Sequence, residues 1–465
     1  MVQFNGPPDR KAKYPVLTVA GQCHLSGISE PFLQALQDKL TIDNPKYKDA
    51  RKYGRWVGKN FKQKLFFFEL DEAGILFPRG FAAQAVVLCR KYMGRGPVIK
   101  DLRRRLTEVD LSFQGELRSY QQEAVQAILR RHFGVLVAGT GSGKTVMALE
   151  VIARRHQPTL ILVHSRELMY QWEERVRQFL GIQAGLIGDS KFNVQPVSIA
   201  IVNTARKRLD QLIPCFGNLV VDECHRVPAT LFTEVVKKFD SYFMLGLSAT
   251  AYRREDAMTR LIYFYMGERS HRVDPEKLQA SGAVLKPQFV QRQTDFRYVF
   301  RGNYQALMNS LTKNELRSQQ IAEDIHTEAM KTEGIVLVVS DRVAHCRKLA
   351  DLLAEKGLQA SVLTGKQAMA ERSEIVESVH RGGIKVLIST LQLVGEGFDA
   401  AGLTTLFLTT PIKFTGRLRQ VIGRILRPAF GKQPKVIDYV DEHVGVLRNS
   451  ARIRRQAYEM DKEVG

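Results

Sequence analysis

The sequence predicts two α/β domains in tandem, each on a parallel sheet, behind a small N-terminal α+β module. Three observations carry this. At 465 residues the chain exceeds one ordinary hydrophobic core. From about residue 112, short apolar β-rich runs alternate with longer helical patterns, and the alternation restarts near residue 335. The polar clusters fall where those runs end, and parallel sheets bind ligands at the carboxyl ends of their strands.

Residues 1–105 form the N-terminal module. SEPFLQALQDKL (29–40) and AAQAVVLCRKYM (82–93) read as helices, and KLFFFEL (64–70) with ILFPRGF (75–81) reads as a hairpin about DEAG. Basic residues outnumber acidic ones here by roughly two to one, and no catalytic constellation is present. Residues 106–290 form the first α/β domain, with strands expected at 135–138, 160–163, 197–202, 218–221 and 243–247. Residues 291–465 form the second, with strands at 335–339, 386–389, 403–408 and 435–440. The runs are apolar throughout, as strands covered on both faces require.

Composition narrows the function classes. Hydrophobic residues make up 44% and charged residues 25%, the balance of a soluble globular protein. No apolar run approaches the ~18–20 residues of a membrane span, and MVQFNGPPDRKAKYP is not a secretory signal. Five scattered cysteines without a CxxC pair give neither a disulfide framework nor a zinc ribbon. The expected location is cytoplasmic and nucleoid-associated, or nuclear in a eukaryote, with no membrane partner. The 69 Lys+Arg against 48 Asp+Glu leave a net charge of +21, an excess that usually serves a polyanionic partner.

AGTGSGKT (138–145) follows the run VLVA and opens the helical stretch VMALEVIARR. It fits the P-loop, with Ala138 in place of the first glycine. Gly139, Thr140, Gly141, Ser142 and Gly143 would wrap phosphates with backbone N–H groups, backed by a helix N-terminus. Lys144 would reach the β- and γ-phosphates of ATP, and Thr145 would hold Mg²⁺.

NLVVDECHRVP (218–228) ends an apolar run on two acids, a thiol and an imidazole. Zinc at Cys224 and His225 lacks further ligands at suitable spacing. A Cys/His nucleophile pair needs opposed geometry that adjacent residues rarely provide. The P-loop favours a third reading, in which Asp222 holds Mg²⁺ through water and Glu223 polarises the attacking water. Cys224 then becomes a small buried filler, and His225 reaches across to a second motif.

With AGTGSGKT and DECH in this order, the chain resembles superfamily-2 helicases, and further motifs match across both α/β domains. The resemblance implies two RecA-like domains. LRSYQQEAV (117–125) is similar to the family's adenine-side motif, which implies that Gln121 reads the base. VHSRELMYQW (163–172) resembles motif Ia, with His164 where many members carry proline. In LGLSATAYR (245–253), Ser248-Ala249-Thr250 matches the triplet that couples hydrolysis to nucleic-acid movement, so Ser248, Thr250 and His225 are expected to couple. STLQLVGEGFDAAGL (389–403) resembles motif V: Gly395 and Gly397 permit close backbone approach, Gly397 and Asp399 are expected at the nucleotide, and Glu396 at the coupling path. QVIGRILRP (420–428) matches motif VI, making Gln420, Arg424 and Arg427 catalytic. One helical turn apart, Arg424 and Arg427 would project from one face and stabilise charge on the γ-phosphate, an effect of about 10³–10⁵ in rate for arginine fingers. Phosphate cradle and arginines lie on different domains, so the resemblance implies that closure drives hydrolysis.

RRED (253–256), with DECH and VLTGKQAMAER (362–372), is similar to the XPB-like branch, which includes UvsW-like enzymes and restriction-enzyme motor subunits. In XPB-like proteins an N-terminal module contacts duplex DNA, the role expected of residues 1–105. No four-cysteine cluster exists for an iron–sulfur XPD-type enzyme. Nucleic-acid contacts are expected from Arg166, Thr204, Arg254, Glu255, Asp256, Thr364, Gly365, Lys366 and Thr390, chiefly to the backbone. The expected activity is ATP-dependent, 3′→5′ translocation on DNA with unwinding or remodelling of double-stranded, forked or branched substrates. Duplex translocation without strand separation, inside a repair, recombination or defence complex, and an RNA helicase are the alternatives.

Overall fold

A computed structural model describes residues 14–44, 47, 62–226, 230–249, 257–365, 367, 369–391, 393, 402–412, 415–429 and 431–459. The chain divides into two compact units: Met1–Ala138 with Gly143–Val273, and Gly139–Ser142 with Asp274–Gly465. Among the described residues no helix is long and apolar enough to cross a membrane.

The N-terminal module contains β1 (Val16–Val19), β2 (Gln22–Ser26), β3 (Thr41–Asp43), β4 (Lys64–Phe66), β5 (Glu69–Leu70), β6 (Gly74–Pro78) and β7 (Val98–Asp101). Five of them form a sheet ordered β5-β6-β2-β1-β7, and β3 and β4 pair separately. The expected helices are present as Glu30–Lys39 and Ala82–Met93. The run at 64–70 is not one strand: β5 pairs with β6 as expected of the hairpin, whereas β4 pairs antiparallel with β3. Phe67 causes the break. Its N–H donates to the Leu40 carbonyl at 3.0 Å, and its ring packs against Phe264 and Tyr265. Alternation along the strand is sacrificed to pack one half-buried aromatic ring against the core.

The module's apolar core is continuous with that of the first α/β region, running from Leu17 and Phe32 to Leu219 and Met266. The joint is tight. The turn Arg79–Phe81 lies against the helix Ala257–Met266, and a Cβ on Gly80 would come within 2.3 Å of the Tyr263 carbonyl oxygen. Arg79 is buried, donating to the Ser241 carbonyl at 2.8 Å and to Met244 Sδ at 3.0 Å. Burial pulls its pKa down to about 10.

The first α/β region has β8 (Phe133–Val137), β9 (Thr159–Val163), β10 (Gly185–Gly188), β11 (Lys191–Phe192), β12 (Val197–Ile201), β13 (Asn218–Val221), β14 (Phe243–Ser248) and β15 (Arg269–Arg272). The sheet order is β11-β10-β12-β9-β13-β14-β8-β15, parallel except for β11. Every residue of β9 and β13 is buried, as central strands under helices on both faces require. The helix Arg166–Leu180 shows how these covers form. Met169, Trp172, Val176 and Leu180 give it one apolar stripe, Ser165 caps its start, and Gly181 ends it in the left-handed conformation.

The second unit carries β16 (Gln288–Gln293), β17 (Ile335–Ser340), β18 (Ala360–Leu363), β19 (Val386–Thr390), β20 (Leu403–Leu408) and β21 (Lys435–Val440) in the all-parallel order β16-β21-β20-β17-β19-β18. β16, across which the sequence reading divides the domains at 290/291, pairs with β21 along its whole length.

Candidate functional site

The carboxyl ends of β8, β9 and β13 gather the first region's polar residues. Gly141 (φ 85°) and Gly143 (φ 79°) hold left-handed conformations closed to most side chains, and Gly143 caps the helix Lys144–Arg155. A Cβ on Gly143 would also lie 2.4 Å from Gln121 Nε2. Gln121 is buried, and its Oε1 accepts from the Arg118 N–H at 2.9 Å, capping the helix Ser119–Leu129. The loop's last glycine and the expected base-reading amide are therefore brought together. Lys144 Nζ donates to the Ala138 carbonyl at 3.1 Å across the loop, and Thr145 follows it on the same helix.

Asp222 lies one residue beyond β13. Its Oδ2 accepts from Trp172 Nε1 at 2.9 Å, and its Oδ1 accepts from the Glu223 N–H at 2.9 Å. Glu223 has φ 48°, a left-handed value that an ordinary side chain rarely holds. Its Oε2 meets His225 Nδ1 at 3.1 Å, and the same nitrogen lies 3.5 Å from Ser248 Oγ. The two acids respond oppositely. Burial, and after it the Glu223 charge, push Asp222 above the usual carboxylate range. Burial also acts to raise Glu223, but the adjacent His225 ring and then the Lys144 charge hold it well below that range.

His164 enters by register. Asp222 N–H donates to the Leu162 carbonyl, and Val221 pairs with Leu162, so His164, one residue past β9, stands near Glu223, two residues past β13. Both its ring nitrogens are buried without a hydrogen-bond partner, and burial lowers its pKa to about 4, which keeps it neutral at pH 7. Trp172 is the residue missed by sequence reasoning. It is 2% exposed and fixes the Asp222 carboxylate. Its spacing on the apolar stripe was legible; its indole N–H aimed at an acid was not.

The donor set fits a hard cation. Asp222 supplies carboxylate oxygens, Thr145 a hydroxyl, and the neighbouring donors to Asp222 are neutral N–H groups. Among the described residues no group of three or more His, Cys, Asp or Glu side chains is arranged to hold a metal. Cys224 is buried in the core.

The two described nucleic-acid candidates of the first region lie on the same sheet edge. Arg166 opens its helix after β9, and Thr204 sits on the helix Val202–Lys207 after β12. In the second unit, Leu363 pairs with Ser389, so Thr364 and Thr390 stand side by side at the carboxyl ends of β18 and β19. Thr364 is buried and its N–H donates to Gln367 Oε1 at 2.7 Å; Gly365 is exposed. Gln420 and Arg424 belong to the helix Thr415–Ile425. Arg427 does not: it lies two residues past the helix end, so helical spacing does not set its direction. Pro428 disfavours helix at the residue before it. Arg427 lines a cavity of about 560 Å³ with Glu333, His380 and Lys385, at the amino ends of β17, β19 and β20. That is the opposite edge from Thr364 and Thr390. Thr250, Arg254, Glu255, Asp256, Lys366, Glu396, Gly397 and Asp399 lie outside the described residues.

Two family models match the chain: "Type III restriction enzyme, res subunit" over residues 114–253 and "Helicase conserved C-terminal domain" over residues 317–429. The chain belongs to the superfamily-2 helicases. It falls in their XPB-like, type III restriction-subunit-like branch. The chain is 26% identical over 376 residues to the "DNA 3'-5' translocase XPB2" of Sulfurisphaera tokodaii, covering 73% of this chain and 84% of that protein. Two solved structures share the helicase fold. "S. cerevisiae Dbp5 bound to RNA and ADP BeF3" has a TM-score of 0.54 at 18% identity, covering 74% of this chain and 87% of that one. The Pyrococcus furiosus Hef helicase domain has a TM-score of 0.52 at 14% identity, covering 73% and 98%. Both α/β regions are RecA-like, and the helicase motifs imply ATP binding and hydrolysis and a nucleic-acid substrate.

Proposed function

We propose that this helicase is a DNA-dependent ATPase that moves 3′→5′ and separates or remodels double-stranded, forked or branched DNA. The observation that carries the reading is the acid pair beside the P-loop. Among the described residues Asp222 accepts hydrogen bonds from two neutral N–H groups, with the Lys144 charge acting on it as well, and Glu223 is held ionised beside His225. The relative named as a DNA 3'-5' translocase supports DNA as the track and the polarity.

Thr145 and Asp222 would hold Mg²⁺, which when bound neutralises phosphate charge. Gly139, Gly141 and Gly143 present backbone N–H groups to the triphosphate, and Lys144 moves from the Ala138 carbonyl to the phosphates. Glu223, ionised at pH 7, accepts the proton of the attacking water. His225 and Ser248 report its position. Gln121 orients the base, and Arg424 is the motif VI arginine assigned to offset phosphate charge. The working division is an N-terminal module over 1–105, a first motor domain over 106–290 and a second over 291–465. Partner proteins are those of a DNA repair, recombination or defence system, and the site of action is the nucleoid or nucleus.

The test is ATP turnover with single-stranded, double-stranded and forked DNA and with RNA at fixed salt, because electrostatic binding falls steeply with ionic strength. DNA should stimulate turnover and Lys144→Ala should abolish it. Stimulation by RNA alone would overturn the DNA assignment.

A further inference from the structure

The turn between β10 and β11 offers one carboxylate to two side chains of motif Ia. Arg166 Nη1 donates to Asp189 Oδ1 at 3.2 Å, and Tyr170 Oη donates to Asp189 Oδ2 at 2.7 Å. Arg166 and Tyr170 stand four residues apart on one helix, so both face the same point. Asp189 (φ 51°) and Ser190 (φ 62°) are the central pair of a two-residue turn, with Gly188 paired to Lys191. A turn of this kind favours Asn-Gly or Asp-Gly. This one keeps the acid and forgoes the glycine.

We propose that Asp189 is a stand-in phosphate: its carboxylate occupies the donors of Arg166 and Tyr170 until a nucleic-acid backbone phosphate displaces it. The proposal rests on the nucleic-acid motor reading above and adds a built-in competitor to it. The surroundings suit a strand backbone and its bases. Lys191 Nζ lies 4.9 Å from the Tyr170 ring centroid, and the Arg208 guanidinium lies 5.0 Å from that of Phe192, whose ring is 44% exposed. Cations beside accessible aromatic rings are the chemistry of single-strand grooves. Arg166 and Asp189 are each about one-third exposed, so exchange needs no unfolding. The Tyr170 hydrogen bond, and next that of Arg166, keep Asp189 ionised despite opposing desolvation. A competing anion weakens each grip and speeds release, which suits a protein that must let go at every step.

Asp189→Asn removes the charge and keeps an acceptor for Tyr170. Fluorescence anisotropy with labelled single-stranded DNA, duplex DNA and RNA, titrated with salt, measures the result. Affinity should rise roughly two- to five-fold, the range of one exposed ion pair. The logarithmic salt slope should steepen by about 1, because the counterion that the nucleic acid releases is then no longer offset by a cation taken up by the freed Asp189 carboxylate. Arg166→Ala should weaken binding more in the Asp189→Asn background than alone. Tyr170→Phe, which leaves the turn intact, loosens the carboxylate but also removes a phosphate donor, so its gain in affinity should be smaller than that of Asp189→Asn. Unchanged or weaker binding by both Asp189→Asn and Tyr170→Phe, or independent effects of Arg166→Ala and Asp189→Asn, would overturn the latch while DNA still stimulated the ATPase. A wild-type protein whose ATPase no nucleic acid stimulates would overturn the motor reading and the latch with it.

Discussion

The two RecA-like sheets both carry buried aspartates in or just past their strands, and they treat them differently. In the second sheet each acid is matched by an arginine. Asp441 takes Arg317 Nε at 2.7 Å and the Thr294 hydroxyl at 2.6 Å, with both charged side chains 1% exposed, while Arg454 Nε reaches both oxygens of Asp438. In the first sheet the hydrogen bonds to Asp222 among the described residues come from an indole and a backbone amide, and no guanidinium pairs with it; the Lys144 charge acts on it less strongly than burial does. An acid neutralised by a guanidinium is finished and serves the fold. An acid given only neutral donors stays costly to ionise until a cation arrives from outside. The difference separates scaffold from site without reference to any motif.

Substitutions should therefore divide by sheet. The largest effect is expected from Glu223→Gln, which keeps the contact with His225 and cannot take a proton. ATP turnover at saturating DNA should fall by about 10²–10⁴, with nucleotide binding retained. An undiminished rate would remove Glu223 from the chemistry. Asp441→Asn attacks the scaffold. It leaves the Arg317 charge buried without a carboxylate, and breaking such a pair costs about 3–5 kcal/mol. The denaturation midpoint should drop, and turnover per folded molecule should not. A catalytic loss without a stability loss would show that the second sheet's acids are not structural.

The same contrast explains what the sequence made legible. The parallel strands of both sheets stand out as unbroken apolar runs because burial on both faces leaves no polar alternation. β16, Gln288–Gln293, escaped because it is mostly exposed and reads QFVQRQ; its identity comes from pairing with β21, which no local pattern announces. β4 and β5 were fused because the apolar run 64–70 hides the inward turn of Phe67. At the site, Lys144, Asp222 and Glu223 were legible because glycines and strand ends punctuate the chain beside them. Trp172 was not, since it acts through a contact 50 residues away in sequence. Spacing alone makes Arg427 look helical, because it does not weigh the proline that follows.

The smallest effect expected concerns the charge on Asp222 and sharpens the contrast most. Its folded pKa is raised to about 6, chiefly by burial and next by Glu223. A raised acid favours the fold while protonated, so its contribution is complete below the ordinary carboxylate value and is lost as pH climbs through about 6. Glu223, held low by His225 and Lys144 against its own burial, stays ionised across that window and adds no titration there. Asp222→Asn mimics the protonated acid, although one amide oxygen must serve the two donors that now meet two carboxylate oxygens. In nucleotide-free protein the variant should match or fall slightly below wild type near pH 4.5. By pH 8 it should gain about 1–3 kcal/mol relative to wild type, read as a difference in melting temperature that widens with pH. It should be inactive throughout. A pH-independent difference would mean that Asp222 is already neutralised within the protein, as Asp441 is, and that the first sheet holds no acid in reserve for a cation.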